Sequence, residues 1–237
     1  MKHLKKILLY TTIICQFLFI SGCNSSSGIV DDTPIFEDKT IEQMDIKNES
    51  CINYFGRTYF DESYNAYMFN YTASGFEVRF EGTMLQAELV TGANDSHKTY
   101  LAIFIDGEVA DKKATTLSLD NKKPQTFTLV NNLDYGIHTI KVLKRTELAM
   151  TSAGLVSLKT DGVFKTPYPK KSRKIEFYGD SITCGYGSTS PKLNSVGFLS
   201  KEENGLQTYA YFAASMLGAQ SQMICYSCWA MNRSWVN

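Results

Sequence analysis

Residues 174–187 read KIEFYGDSITCGYG. Lys174 to Tyr178 has the texture of a short strand, and Gly179 to Gly187 follows as a glycine-rich turn holding Asp180 and Ser181. At the carboxyl end of a buried parallel strand, a serine stands where ligands of α/β sheets bind. Glycines there let the backbone turn sharply enough to present its Oγ and N–H. Such a serine becomes a nucleophile when a base removes its proton. Asp180 is adjacent in sequence and so points elsewhere; it is read as shaping the turn together with Gly179, Gly185 and Gly187. A bare Gly-Asp-Ser says little by itself, and its position directly after a strand gives it weight. No GxSxG occurs in the chain, so the nucleophile elbow of the α/β-hydrolases is not the better match.

Downstream, Leu206, Tyr209, Ala210, Ala213 and Leu217 fall on one helical face, with Gly218 placed as its stop. Gln222 to Ser227 then reads as a second strand. Strand, turn, helix and strand make the opening unit of an α/β domain. Upstream, from about Cys51 to Val163, the period is two. Phe76, Val78 and Phe80 alternate with Glu77 and Arg79, and Leu101, Ile103 and Ile105 run into Asp106-Gly107, a hairpin signal. Thr126 to Val130 and Ile137 to Leu143 continue the pattern across the turn Asp134-Tyr135-Gly136. Repeated short strands with no helical period predict a β-sandwich or jelly roll. Lys170, Lys171, Arg173 and Lys174 between the two regions read as a solvated linker.

At the other end, Lys2, Lys5 and Lys6 precede the apolar run Ile7 to Ile20, too short to span a membrane but suited to a signal peptide. It closes in Ile20-Ser21-Gly22-Cys23, which resembles the lipobox of bacterial lipoproteins, in which the cysteine is lipidated and becomes the new N-terminus. Cleavage before Cys23 removes three lysines and no acid, leaving a formal net charge of −3. An exported lipoprotein is expected, periplasmic or at the cell surface, touching the membrane through the lipid on Cys23. The expected organisation is a signal peptide over 1–22, a flexible tether over 23–40, a β-sandwich over 41–166 and a partial α/β domain over 171–237.

The whole chain carries 24 basic and 24 acidic side chains in 237 residues, so it lacks the basic footprint of a nucleic-acid binder. Cys51, Cys184, Cys225 and Cys228 are too scattered for a disulfide scaffold. The Cys225-x-x-Cys228 spacing has no second CxxC or paired histidine to complete a metal site.

Residues 175–187 (IEFYGDSITCGYG) and 203–214 (ENGLQTYAYFAA) resemble the SGNH, GDSL-like hydrolases, and specifically carbohydrate esterase family 2. Phe55-Gly56-Arg57, Phe80-Glu81-Gly82-Thr83, Ile105-Asp106-Gly107, residues 136–140 (GIHTI) and Lys144-Arg145-Thr146-Glu147 are similar to that family's N-terminal domain. The resemblance implies a jelly roll joined to an SGNH esterase domain. It also implies removal of acetyl groups from acetylated plant polysaccharide or oligosaccharide, as in acetyl xylan esterases, without metal or cofactor. Ser181 would be the nucleophile and its backbone N–H one oxyanion donor. Cys228 stands where the family places the glycine of the second oxyanion element.

The family's histidine base lies near the end of the esterase domain, and neither His97 nor His138 matches it. The 67 residues from Lys171 fall short of the roughly 100 or more that a doubly wound domain needs. A C-terminally truncated product with impaired catalysis is therefore expected, with residues 229–237 an altered tail. From another class comes a non-catalytic carbohydrate-binding surface lipoprotein, with Tyr64, Tyr67 and Tyr71 as candidate sugar platforms.

Overall fold

In a computed structural model of the protein, the described residues are 36–92, 97–107, 114–120, 122–191 and 197–229. The expected leader, Cys23, the first part of the expected tether and the tail beyond Trp229 lie outside them.

The β region runs, in chain order, β1 (Thr40–Ile41), β2 (Asn53–Phe55), β3 (Thr58–Asp61), β4 (Ala66–Phe69), β5 (Gly75–Gly82) and β6 (Leu85–Val90). It continues with β7 (Thr99–Ile105), β8 (Thr115–Leu119), β9 (Gln125–Val130), β10 (Gly136–Lys144), β11 (Gly154–Thr160) and β12 (Val163–Lys165). One antiparallel sheet has the order β1-β12-β5-β10-β7-β8, with β2 also paired to β5; the other has the order β3-β4-β11-β6-β9. The two sheets form the expected sandwich. Phe76, Val78 and Phe80 from β5 are fully buried, and with Leu101, Ile103, Ile140 and Val142 they meet Leu85, Leu89 and Leu155 of the opposite sheet. Each such side chain contributes on the order of 1.5–3 kcal/mol by leaving water.

Alternation predicts a solvated outer face for the first sheet, and the structure covers that face instead. Arg79, the outward residue of β5, is 1% exposed because Phe36 and Tyr168 pack over its guanidinium. Further along the same face, Phe55, Ala102, Phe104 and Leu143 bury against Cys184, Leu206, Ala210, Tyr211, Met223 and Cys225. This is why β7 and the end of β10 are apolar on both faces, the mark of strands covered on two sides.

The covering module consists of β13 (Lys174–Gly179), α1 (Ser181–Cys184), α2 (Tyr209–Met216) and β14 (Gln220–Cys225), with 3-10 turns at Ser200–Glu202 and Gly205–Gln207. β13 and β14 pair in parallel from Lys174↔Gln220 to Gly179↔Cys225. The helical period differs from the sequence reading. Leu206 lies in the preceding turn, where the Asn204 side chain accepts its N–H at 3.2 Å. The helix then starts afresh at Tyr209 and buries Ala210, Tyr211 and Ala214, leaving Tyr209 and Leu217 half exposed. Gly218, at φ +62°, follows its end. The strands flanking Asp106-Gly107, β7 and β8, pair in antiparallel from Ile103↔Thr115 to Thr99↔Leu119. Asp106 and Gly107 both have positive φ. The Asp106 carboxylate accepts the Thr139 N–H and pairs with His138, each at 2.8 Å.

Candidate active site

Ser181 opens α1 at the carboxyl end of β13. Asp180 is the N-cap, its Oδ1 accepting the Ile182 N–H at 3.0 Å at the helix start. Gly185 ends the helix at φ +82°, and a Cβ there would lie 2.4 Å from the Asn204 carbonyl oxygen. Gly179 has no room for a side chain either, since a Cβ would meet Thr183 Oγ1 at 2.0 Å. Gly187 has φ +66° with open space around it. The Ser181 hydroxyl makes no hydrogen bond among the described residues.

The strand register fixes what lies beside Ser181. Gly179 pairs with Cys225, and the Tyr226 N–H donates to the Gly179 carbonyl at 3.1 Å, so the turn 226–228 leaves the same end of the parallel pair as α1. Cys228, which stands where the resemblance puts glycine, has φ +67° and is exposed. A non-glycine residue thus occupies the left-handed conformation, with its backbone N–H retained. Tyr178, Gly179, Asp180, Ile182, Thr183, Tyr209 and Trp229 line an open concavity of about 480 Å³ beside this end. A cavity of about 520 Å³ lies toward the other end of the strands, against Gln220, Ser221, Lys141 and Tyr168, away from the serine.

Beneath the site the sandwich meets the module through charged residues that sequence reasoning passed over as catalytic or binding candidates. Lys144, Glu147 and Glu203 are fully buried, and Arg145 is 9% exposed. Lys144 Nζ donates to the carbonyls of Thr146 and Glu147 at 2.7 and 2.9 Å. Arg145 donates to Thr116 Oγ1 at 3.0 Å, while its carbonyl accepts the Gly205 N–H at 3.0 Å. The Glu147 N–H donates to Glu203 Oε2 at 3.1 Å, and Glu147 Oε2 accepts the Ser227 N–H at 2.7 Å. Burial raises the Glu203 carboxyl and lowers the Lys144 ammonium. In sequence, Lys144-Arg145-Thr146-Glu147 after an apolar strand looks the same as a solvated loop, and only the docked module shows it buried.

Glu147, Cys184 and Glu203 bring three donor atoms within 4.8 Å of one another. The Cys184 thiol, however, donates to Glu147 Oε2 at 3.6 Å, and its hydrogen bond with Cys225 together with burial pushes its pKa far up. It is therefore held as a thiol. Of the CxxC pair, Cys225 is buried beside Cys184, and Cys228 lies exposed in the turn. His138 is bonded at both nitrogens, to Asp106 and to the Asp134 carbonyl, and His97 packs edge-on to Phe198 at 5.0 Å. Neither hydrogen-bonds Ser181. Tyr67 is stacked on Tyr54 at 3.9 Å, so its ring face is already occupied.

An antiparallel sandwich carrying an α/β unit, with a serine at the head of the helix after its first strand, defines a two-part class of protein. Residues 54–169 match the family model for the carbohydrate esterase 2 N-terminal domain. The chain thus carries a carbohydrate esterase 2 N-terminal domain. It is 25% identical over 231 residues to an acetylxylan esterase / glucomannan deacetylase of Cellvibrio japonicus, covering 97% of this chain and 59% of that protein. It is 29% identical over 159 residues to the cellulase/esterase CelE of Acetivibrio thermocellus, covering 66% of this chain and 18% of that one. Among solved structures, a family two carbohydrate esterase from Clostridium thermocellum in complex with cellohexaose is similar at 27% identity and a TM-score of 0.68, over 78% of this chain and 54% of that one. The chain thus spans from about a fifth to three fifths of the length of the curated relatives it matches.

Proposed function

We propose that the chain is the sandwich and nucleophile-bearing part of an SGNH-type carbohydrate acetyl esterase, acting on acetylated polysaccharide or oligosaccharide. The carrying observation is the common origin of two turns. Ser181 follows Gly179 and Cys228 follows Cys225, and those two residues are partners at the end of one parallel pair. Ser181 Oγ attacks the acetyl carbonyl, the Ser181 and Cys228 N–H groups receive the oxyanion, the serine proton passes to the departing sugar oxygen, which leaves as the alcohol, and water then hydrolyses the acyl-serine to acetate. The relatives' esterase names support the substrate class. Among the described residues no histidine hydrogen-bonds Ser181, and an oxyanion site acting without a base gives weak hydrolysis. The lipobox-like Ile20-Ser21-Gly22-Cys23 supports an exported lipoprotein held at a membrane through Cys23.

The test is acetate release from acetylated xylan and from an aryl acetate by the purified chain beside Ser181→Ala. Release that the substitution abolishes supports the reading. Equal release from both proteins removes Ser181 from the mechanism. Binding of oligosaccharide without Ser181-dependent release would favour the non-catalytic, carbohydrate-binding reading.

A further inference from the structure

From the buried seam we infer that Glu147, a residue of the β-sandwich, is a positioning residue for the esterase site: one of its carboxylate oxygens holds both backbone elements that carry the oxyanion donors. The inference rests on the reading of Ser181 and Cys228 given above.

Glu147 Oε2 accepts the Ser227 N–H at 2.7 Å, one residue before Cys228. The same oxygen accepts the thiol of Cys184 at 3.6 Å, and Cys184 is the last residue of α1, the helix that Ser181 begins. Glu147 is itself tightly held. Its carbonyl takes the Lys144 ammonium at 2.9 Å and its N–H donates to Glu203 Oε2 at 3.1 Å. Lys144 also fixes the Thr146 carbonyl, while the Arg145 N–H donates to the Tyr100 carbonyl at 2.8 Å. The backbone from 144 to 147 is thereby tied to the sandwich, and the Glu147 side chain projects from it into the module as a fixed acceptor. A residue of Cys228's type at φ +67° persists only where neighbours over-determine the turn, and the bond to Ser227 supplies that constraint. The sandwich therefore completes the site from behind, in addition to any contact it makes with substrate.

The test uses the whole chain and two readouts. Amide exchange at Ser227 and Cys228, followed by NMR, is compared for the parent, Glu147→Ala and Glu147→Gln. The Gln variant keeps the size and one oxygen acceptor if the Ala variant fails to fold. Arg57→Ala, which removes the Arg57–Glu176 ion pair of 3.3 Å elsewhere on the same interface, is the control. With protection in β5 unchanged, Ser227 exchange is expected to rise on the order of ten-fold or more in Glu147→Ala and less in Glu147→Gln. The Arg57 control stays at the parent rate. On an aryl acetate, kcat falls by a similar factor with KM within about two-fold of the parent. Unchanged Ser227 exchange in folded Glu147 variants overturns the inference, as does an equal effect of Arg57→Ala. If parent hydrolysis equals that of Ser181→Ala, the reading of the site fails, whereas the exchange rates still decide whether Glu147 sets the turn.

Discussion

The guanidinium of Arg79 lies 3.9 Å from the ring centroid of Tyr168, joining the middle of β5 to the chain that leaves the sandwich after β12. Arg79 also donates to the Thr166 carbonyl at 2.7 Å and faces Asp38 at 3.3 Å. Tyr168→Ala is expected to cost about 1–2 kcal/mol, the scale of a desolvated cation–π contact. Arg79→Ala is expected to cost about 2–3 kcal/mol, since it also leaves the Thr166 carbonyl without its donor. Urea unfolding checks both, with the denaturant slope unchanged.

His138 gives the sandwich a pH dependence. Burial opposes its charged form, but the Asp134 carbonyl and the Asp106 carboxylate together outweigh it and hold the imidazole above its ordinary value. A raised folded value means that the stabilisation is complete below the unfolded imidazole value of about 6.5 and is lost as pH rises through the folded value. Unfolding free energy measured across neutral pH is therefore expected to fall with rising pH, and His138→Gln to flatten that slope. A slope of the opposite sign at this step would contradict the arrangement.

Cys228 carries a side chain where the backbone favours none. Left-handed φ costs an ordinary residue about 1–2 kcal/mol, part of which glycine returns through its looser unfolded state. Cys228→Gly is expected to raise stability by about 0–1 kcal/mol and to leave Ser181-dependent hydrolysis at or above the parent level. A calorimetric scan and an aryl acetate assay check the two parts. Loss of hydrolysis would mean that the cysteine side chain takes part in the reaction.

Gly205 is where the module sits hardest on the sandwich, for a Cβ there would lie 1.8 Å from Thr72 Cγ2. Gly205→Ala is expected to destabilise by about 1–3 kcal/mol, as overpacking does. Exchange protection should fall in β13, β14 and α2 while β5 and β6 keep theirs.

The sandwich was legible because period two writes itself into β5, β9 and β10, and the serine turn because Gly179, Asp180 and Gly185 leave little conformational choice. Covering of the outer sheet face was not legible. In alternating Phe76-Glu77-Val78-Arg79-Phe80 a buried Arg79 looks the same as a solvated one, since what buries it comes from Phe36 and Tyr168, far away in sequence. The helix face slipped for a local reason. Asn204 caps a short turn around Leu206, which breaks the period before Tyr209 begins a new one. The glutamates at 147 and 203 were present within quoted motifs, but that they meet is a property of docking and not of spacing.

Chain order gives the charged seam a role in assembly. β12, the last strand of the sandwich, precedes β13 in the chain, so the acceptors that take Gly205 and Ser227, the Arg145 carbonyl and the Glu147 carboxylate, are made first. Pairing β13 with β14 closes a long loop, which is slow when both ends must meet in free solution. Here the loop is also tied to the sandwich between its ends, at Gly205, and just past β14, at Ser227. The sandwich is in this sense a template for the module, and a module released from it loses the guide by which its own strands find one another.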